Sequence, residues 1–408
     1  MSTMRVSTLW LASLNFAKGV PYVIVMVISL LMFRQMGLTM AESTGLVALC
    51  YLPWVLKCWW KRYVQRLFSD KTWALLTELL LVLVFVGLAF ALPVLWRVIV
   101  LMQATAWLTA IHNVAIDGLS AKADGKVRHR LTRELSRKLA MVVGQGVLVM
   151  LAGNLQVLYR HDMLYAWRLM FYFVAGLFLL LFFWHLVVLT VCREYGEPAA
   201  AHARMSGEPI ANTRTDVDML PEGTGVLVAF FLLYPFAQAM IGKVSILFLT
   251  DTSRHGGLGL SPQEFGLVMG TVGIIALTVG GLLGRKFLHL AGFASCKWFM
   301  ALSMLVPGMV YASIGYSQPA SLMIISACVL TEQLAYGFGF ALYLWLLQQI
   351  SWREKGKSMM ALSLLAGCAL SGLLQEAQGY SLFFLTALAL SGISLVAVAM
   401  LRKIPIHK

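Results

Sequence analysis

The chain reads as an all-α integral membrane protein, with twelve transmembrane helices arranged as two six-helix bundles. Three observations predict this fold. The 408 residues are 60% hydrophobic and only 12% charged, against about 25% charged in an average soluble domain, and the mean hydropathy is +0.80. The apolar stretches run for roughly 18 to 30 residues, long enough to cross about 30 Å of hydrocarbon as helices. They also lack the in–out alternation of barrel strands.

Read in order, the spans fall at roughly 7–33, 42–60, 73–92, 95–119, 139–158, 166–191, 223–249, 263–284, 297–316, 320–350, 357–375 and 381–401, with ends uncertain by about 2 to 4 residues. No basic n-region, short apolar core and small-residue cleavage site precede the first, so it is expected to be a retained helix. The six cysteines, at 50, 58, 192, 296, 328 and 368, have no metal-ligand spacing and read as small apolar residues. No metal and no cofactor is expected.

Charge orients the spans. With the N-terminus in the cytoplasm, 24 of the 32 Lys and Arg fall in inside segments and 5 outside, while Lys18, Lys57 and Lys243 lie within spans. The positive-inside rule then puts both termini in the cytoplasm of a multi-pass protein of the cytoplasmic membrane. The same distribution accounts for the net charge of +14 as basic loops lying against anionic lipid. The run KADGKVRHRLTRELSRK has no interleaved aromatics, which argues against nucleic-acid binding. A hydrophilic segment at 192–222 divides the chain into an N-terminal bundle, 1–191, and a C-terminal bundle, 223–408. This is the architecture of the major facilitator superfamily, in which solute binds between the halves near the midplane.

On that architecture the first, fourth, seventh and tenth spans face a central cavity, and the costly polar residues cluster on them. Lys18 is about 16 Å into its span and Glu332 about 18 Å into its own. Tyr234 and Gln238 are one turn apart, and Lys243 lies nearer the outer end. His112, Asn113 and Asp117 sit in the inner third of the fourth span, where Asn113 and Asp117 share a face. Asp117 reads as a gate residue, a helix-end ion pair or a solute contact. Glu332 reads either as a carboxyl that takes and releases a proton or as the fixed partner of Lys18. Lys18 in turn suits an anionic solute group as a point charge. Tyr336 is either a bonding partner of Glu332 or a packing residue, and His112 either a proton relay or a satisfied structural side chain. Gly337 and Gly339 allow close helix packing or a kink.

These residues resemble the muropeptide permease (AmpG-like) branch of the superfamily, which includes the acetyl-CoA transporters and some siderophore permeases. FAKGVP at 16–21 is similar to the family's G-x-P turn. LKCWWKRYVQR at 56–66 resembles K-x-x-W-x-P-x-x-D-R, keeping Lys57, Trp60 and Arg66, with Gln65 where an aspartate is usual. HNVAIDG at 112–118 resembles Q-D-x-x-x-D-A, keeping Asp117. EQLAYGFG at 332–339 matches E-x-x-x-x-G-x-G in full. The resemblance implies a monomeric secondary transporter that imports an organic solute with protons, an anhydromuropeptide or amino-sugar conjugate first and a siderophore or other organic anion second. Glu332 and Asp117 would carry the coupling proton. Lys18, His112, Asn113, Tyr234, Gln238, Tyr336 and Trp345 would hold solute, and Gln65, Arg66, Gly337 and Gly339 would serve gating.

Two other classes make different demands on the sequence. A membrane-embedded transferase would need His112 and Asp117 as base and partner, but five residues apart on a helix they project about 140° from each other. A transport-dead sensor of the same fold would move no solute in liposomes.

Overall fold

The computed structural model describes residues 2–122, 127–191, 224–350 and 352–401. The expected linker, 192–222, lies outside the described residues, as do Lys126, Arg402, Lys403 and Lys408. Among the described residues, nine helices are long and apolar enough to cross a membrane. They make twelve crossings with one further, broken helix. Two of the nine fold back on themselves: Pro262–Ser317 turns at Gly292 and Arg353–Met400 turns at Gly379. The broken one is the second crossing, whose pieces Met40–Leu49, Leu52–Val55 and Lys57–Leu67 are separated by breaks at Cys50–Tyr51 and at Leu56.

The crossings are numbered here as spans 1 to 12. Span 1 is Leu9–Gln35, span 2 the broken helix from Met40 to Leu67, and span 3 Asp70–Ala91. Spans 4, 5 and 6 are Leu95–Ala121, Thr132–Leu158 and Met163–Thr190, and span 7 is Thr224–Thr250. Spans 8 and 9 are 262–291 and 293–317, span 10 is Leu322–Gln349, and spans 11 and 12 are 353–378 and 380–400. An even number of crossings returns both ends of the chain to one side, called the terminal face; the other is the distal face.

Local chemistry explains several starts and turns. Spans 2 and 8 both begin at the distal face with a capping box, Thr39 with Glu42 and Ser261 with Glu264, each pair satisfying two otherwise orphaned backbone donors. Gly292 (φ 74°, ψ 166°) and Gly379 (φ 72°, ψ 175°) hold a conformation that is essentially reserved for glycine. A Cβ at Gly379 would touch nothing within 4 Å, so Gly379→Ala acts through backbone strain alone. It should lower stability by about 1–3 kcal/mol, read as an earlier thermal transition. Gly176→Ala, at an open position within helical span 6, should be neutral or slightly stabilising.

Spans 1, 5 and 8 each contain a π-helical turn, at Ile24–Ile28, Val143–Leu148 and Val268–Gly273. The last two cross where the halves meet: a Cβ on Gly270 would fall on the backbone of Gly146. Spans 2 and 11 also pack together, Gly372 lying against Thr44 and Met40. A single buried apolar cluster runs through both halves on the distal side, containing Ile28, Val149, Leu247 and Phe265 among others. Toward the terminal face each half has its own core. In one half it comprises Leu14, Ala74, Ala115, Ile116 and Leu119; in the other it is built around Phe230, Phe231, Tyr234 and Tyr343. The halves are therefore fused distally and separately packed near the termini, which leaves the terminal side of their interface as the place where polar groups gather.

Candidate functional site

On the distal side of the midplane the two halves are joined by a buried cation. Lys243 on span 7, 8% exposed, donates to the Met26 carbonyl of span 1 at 2.7 Å and lies 5.4 Å from the centre of the Tyr51 ring on span 2. The acceptor belongs to the π turn Ile24–Ile28, where a loosened helical ladder can leave a carbonyl to an outside donor. Among the described residues no carboxylate pairs with Lys243.

Below it, a chain of alternating charges runs toward the terminal face. Lys18 of span 1 bonds Asp117 of span 4. Lys57 of span 2 lies 3.9 Å from Asp117 and 3.4 Å from Glu354 at the start of span 11, and Glu354 also meets Lys61 at 3.7 Å and Lys357 at 2.8 Å. Glu354 thus links N-terminal-half lysines to a C-terminal-half one. Its contacts with Lys57 and Lys61 are at ionic distance, without hydrogen-bond geometry. Cys58 and Ser358, 3.2 Å apart, bridge the halves beside it. The Asp117 side chain remains 48% exposed, so the chain of charges is open to water at that point.

The distal face is bridged by a different set. Arg34 of span 1 pairs with Asp251 at the end of span 7 at 3.3 Å, and Tyr380 of span 12 donates to the same carboxylate at 2.5 Å. Gln263 bonds Asn154, and the Ala41 N–H donates to Glu376 at 2.9 Å. A cleft of about 240 Å³ lies among Arg34, Gln35, Gln156, Trp167 and Asp251. Each face therefore has its own set of non-covalent bonds between the halves.

The residues singled out from sequence separate into three groups. Lys18, Asp117 and Asn113 come together on spans 1 and 4, and Asn113 Oδ1 is buried without a partner. Glu332 on span 10 is 4% exposed with Oε2 unpartnered, and no cation of the described residues pairs with it. Lys18 takes Asp117 instead, so the alternative of a fixed Lys18–Glu332 pair is not what the fold forms. Tyr336, half-buried, lies one turn from Glu332 with its ring 5.4 Å from Phe340.

The second group faces into its own half. Tyr234 donates to the Gly339 carbonyl at 2.8 Å and stacks on Phe230, and Gln238 donates to the Met304 carbonyl at 2.6 Å. Trp345 stacks on Phe293 with centroids 5.4 Å apart. His112 is fully buried against Thr77 and Glu78. The third group is gating: Gln65 and Arg66 are exposed at the end of span 2. Gly337 and Gly339 do not kink span 10, which runs unbroken from Leu322 to Gln349. Instead they admit close neighbours, the Leu277 carbonyl for Gly337 and the Met300 carbonyl for Gly339.

Sequence reasoning missed Glu354, Arg34 and Asp251. Lys243 was visible as a mid-span cation; its acceptor, a main-chain carbonyl, has no residue-type signature.

No family model and no curated protein matches the sequence. Solved structures match its fold. The nucleoside transporter NupG is 13% identical over 98% of this chain and 100% of that chain, with a TM-score of 0.69. The xylose transporter XylE from E. coli, in a partially occluded inward-open conformation, is 13% identical over 99% and 98%, with a TM-score of 0.70. A POT family transporter in complex with 5-aminolevulinic acid is 11% identical over 98% and 96%, with a TM-score of 0.70. Identities this low speak to the fold alone, and the chain shares the overall fold of these transporters.

Proposed function

We propose that the protein is a secondary transporter that imports an organic solute with protons by alternating access. The observation that carries this reading is the pair of separate bond sets between the halves, Lys57 and Lys61 with Glu354 at the terminal face and Arg34 with Asp251 at the distal face. Both sets are non-covalent, and opening one while the other holds gives access from one side at a time. An ion pair of this kind, partly exposed, contributes little to stability, so its exchange does not endanger the fold.

In this reading 1–191 and 223–408 are the two moving bundles, joined by 192–222, and the basic loops set the terminal face in the cytoplasm. Glu332 carries the coupling proton: a buried carboxyl with a free oxygen and no counter-ion is stable when protonated and must be hydrated or paired when it is not. Asp117, paired with Lys18, is the second carboxylate proposed for the coupling proton. Lys18, Asn113 and Tyr336 are the solute-facing groups, and the cargo favoured by the AmpG-like resemblance is an anhydromuropeptide, with a siderophore as the alternative.

Reconstitution tests this directly. Purified protein in liposomes with an alkaline lumen should accumulate an anhydromuropeptide with saturable kinetics. Accumulation of a ferric siderophore instead would transfer the cargo to the alternative. Movement of neither, under either polarity of the pH gradient, would leave a transport-dead relative of the fold.

A further inference from the structure

The terminal end of span 2 carries a face that neither half of the protein covers. Lys57–Leu67 is one unbroken helix, and three of its sides are accounted for. Lys57 and Lys61, one turn apart, face Glu354 at 3.4 and 3.7 Å. Trp60 packs on Trp107 of span 4 with centroids 6.1 Å apart, and Cys58 meets Ser358 of span 11 at 3.2 Å. The remaining side holds Trp59, Arg62, Tyr63 and Arg66, whose i, i+3, i+4, i+7 spacing puts them on one stripe. Trp59 is 76% exposed and Tyr63 67%, and both arginines are exposed. Together with Cys58 these four side chains line a groove of about 590 Å³.

Depth identifies what this groove meets. Span 2 starts at Met40 on the distal face, and the stretch from there to Trp59 rises about 30 Å, the thickness of the hydrocarbon layer. Trp59 and Tyr63 therefore sit at the terminal-side boundary between acyl chains and headgroups, where rings with one apolar and one polar end are stable. Arg62 and Arg66, at that level and one turn beyond it, reach the layer of lipid phosphates.

The charge of the groove is uncompensated. Among the described residues neither arginine pairs with a carboxylate, and Glu354, held by Lys57, Lys61 and Lys357, lies on the opposite side of the helix. Two guanidiniums one turn apart suit an anion with several oxygens, since each offers a planar fork that matches phosphate. A choline headgroup would set its own ammonium against both of them. An acidic headgroup meets no such opposition.

We propose that this groove binds one anionic phospholipid of the terminal-side leaflet, with its phosphate on Arg62 and Arg66 and the upper part of its chains against Trp59 and Tyr63. The general attraction between basic loops and an acidic membrane surface acts on every exposed cation and selects no position. Here two guanidiniums, two rings and a groove coincide on one helix, between its contacts with spans 4 and 11. The bound lipid lies across one helix diameter, about 10 Å, from the contacts of Lys57 and Lys61 with Glu354. The site requires neither proton coupling nor a particular cargo, so it stands or falls apart from the transport reading.

The test is tryptophan quenching in the full-length protein, reconstituted in nanodiscs of phosphatidylcholine with a rising fraction of dibrominated phosphatidylglycerol. Bromine quenches a tryptophan it touches, and the Trp59 share of the signal is the part absent from Trp59→Phe. In the wild type that share should be half-quenched at a lower phosphatidylglycerol fraction than the other tryptophans. Arg62→Gln and Arg66→Gln should each raise the half-quenching fraction about fivefold. Arg285→Gln and Lys286→Gln, which remove exposed cations at the terminal end of span 8, should leave it unchanged. All these positions are exposed, so the variants should fold; if Arg66→Gln does not, Arg62→Gln carries the same comparison. The proposal is overturned if dibrominated phosphatidylcholine quenches Trp59 equally well, since the contact is then that of any surrounding lipid. It is overturned too if the Arg285 and Lys286 variants shift the curve as far as those of Arg62 and Arg66. Loss of the preference in inorganic phosphate, but not in chloride of the same ionic strength, would hand the groove to a soluble anion and end the lipid assignment.

Discussion

Glu332→Gln is expected to abolish uphill accumulation while leaving solute exchange down its own gradient intact. Glutamine keeps the shape and hydrogen-bonding capacity of the side chain but cannot carry a proton, so the solute step and the proton step come apart. One proton moving through about 100 mV supplies about 2.3 kcal/mol, enough for roughly fiftyfold accumulation; in the variant the ratio should fall to one. The measurement is solute uptake into proteoliposomes under an imposed gradient, paired with counterflow at zero gradient. Accumulation that survives the substitution would remove Glu332 from the coupling role. Because no cation among the described residues pairs with this carboxyl, its loss should not uncover a buried opposite charge, and the variant should remain folded.

Gly270→Ala should disable transport by a different route. The new methyl would meet the Gly146 backbone, with the Gln145 carbonyl carbon 2.8 Å away, and backbone cannot rotate aside as a side chain can. The π turns of spans 5 and 8 must separate to admit it. Overpacking of this kind costs about 1–3 kcal/mol, and if the halves alternate as proposed, so that the contact is lost on distal opening, that cost shifts the population toward the distally open state by a factor of roughly 5 to 150. A cysteine introduced at Thr250, which lines the distal cleft, should label faster with a membrane-impermeant maleimide in the variant than in the parent. Unchanged labelling would mean that the crossing tolerates the methyl.

The number of crossings and the division into two bundles were legible because long apolar runs have few alternatives in a bilayer. The chain reversals at Gly292 and Gly379 were legible only as loop positions, since their conformation depends on backbone angles that many sequences around a glycine share. At the candidate site the sequence marked the expensive residues correctly but not their partners. Depth alone matches Lys18 with Glu332, whereas azimuth on the helix decides contacts, and Asp117 faces Lys18. Tyr234, Gln238 and Trp345 are on or beside cavity-type spans yet turn into their own half, because a tyrosine hydroxyl or an amide buried in lipid-depth packing takes the nearest free carbonyl.

The Lys243 contact with span 1 has a practical corollary for anyone screening this protein by substitution. Because the acceptor is the peptide oxygen of Met26, every side-chain replacement at 26 leaves that oxygen in place, and an alanine scan reads there the loss of a buried side chain and nothing of the Lys243 bond. Only a change to the amide itself, such as an ester linkage between 26 and 27 that weakens the carbonyl as an acceptor, would expose how much the crossing lysine depends on it.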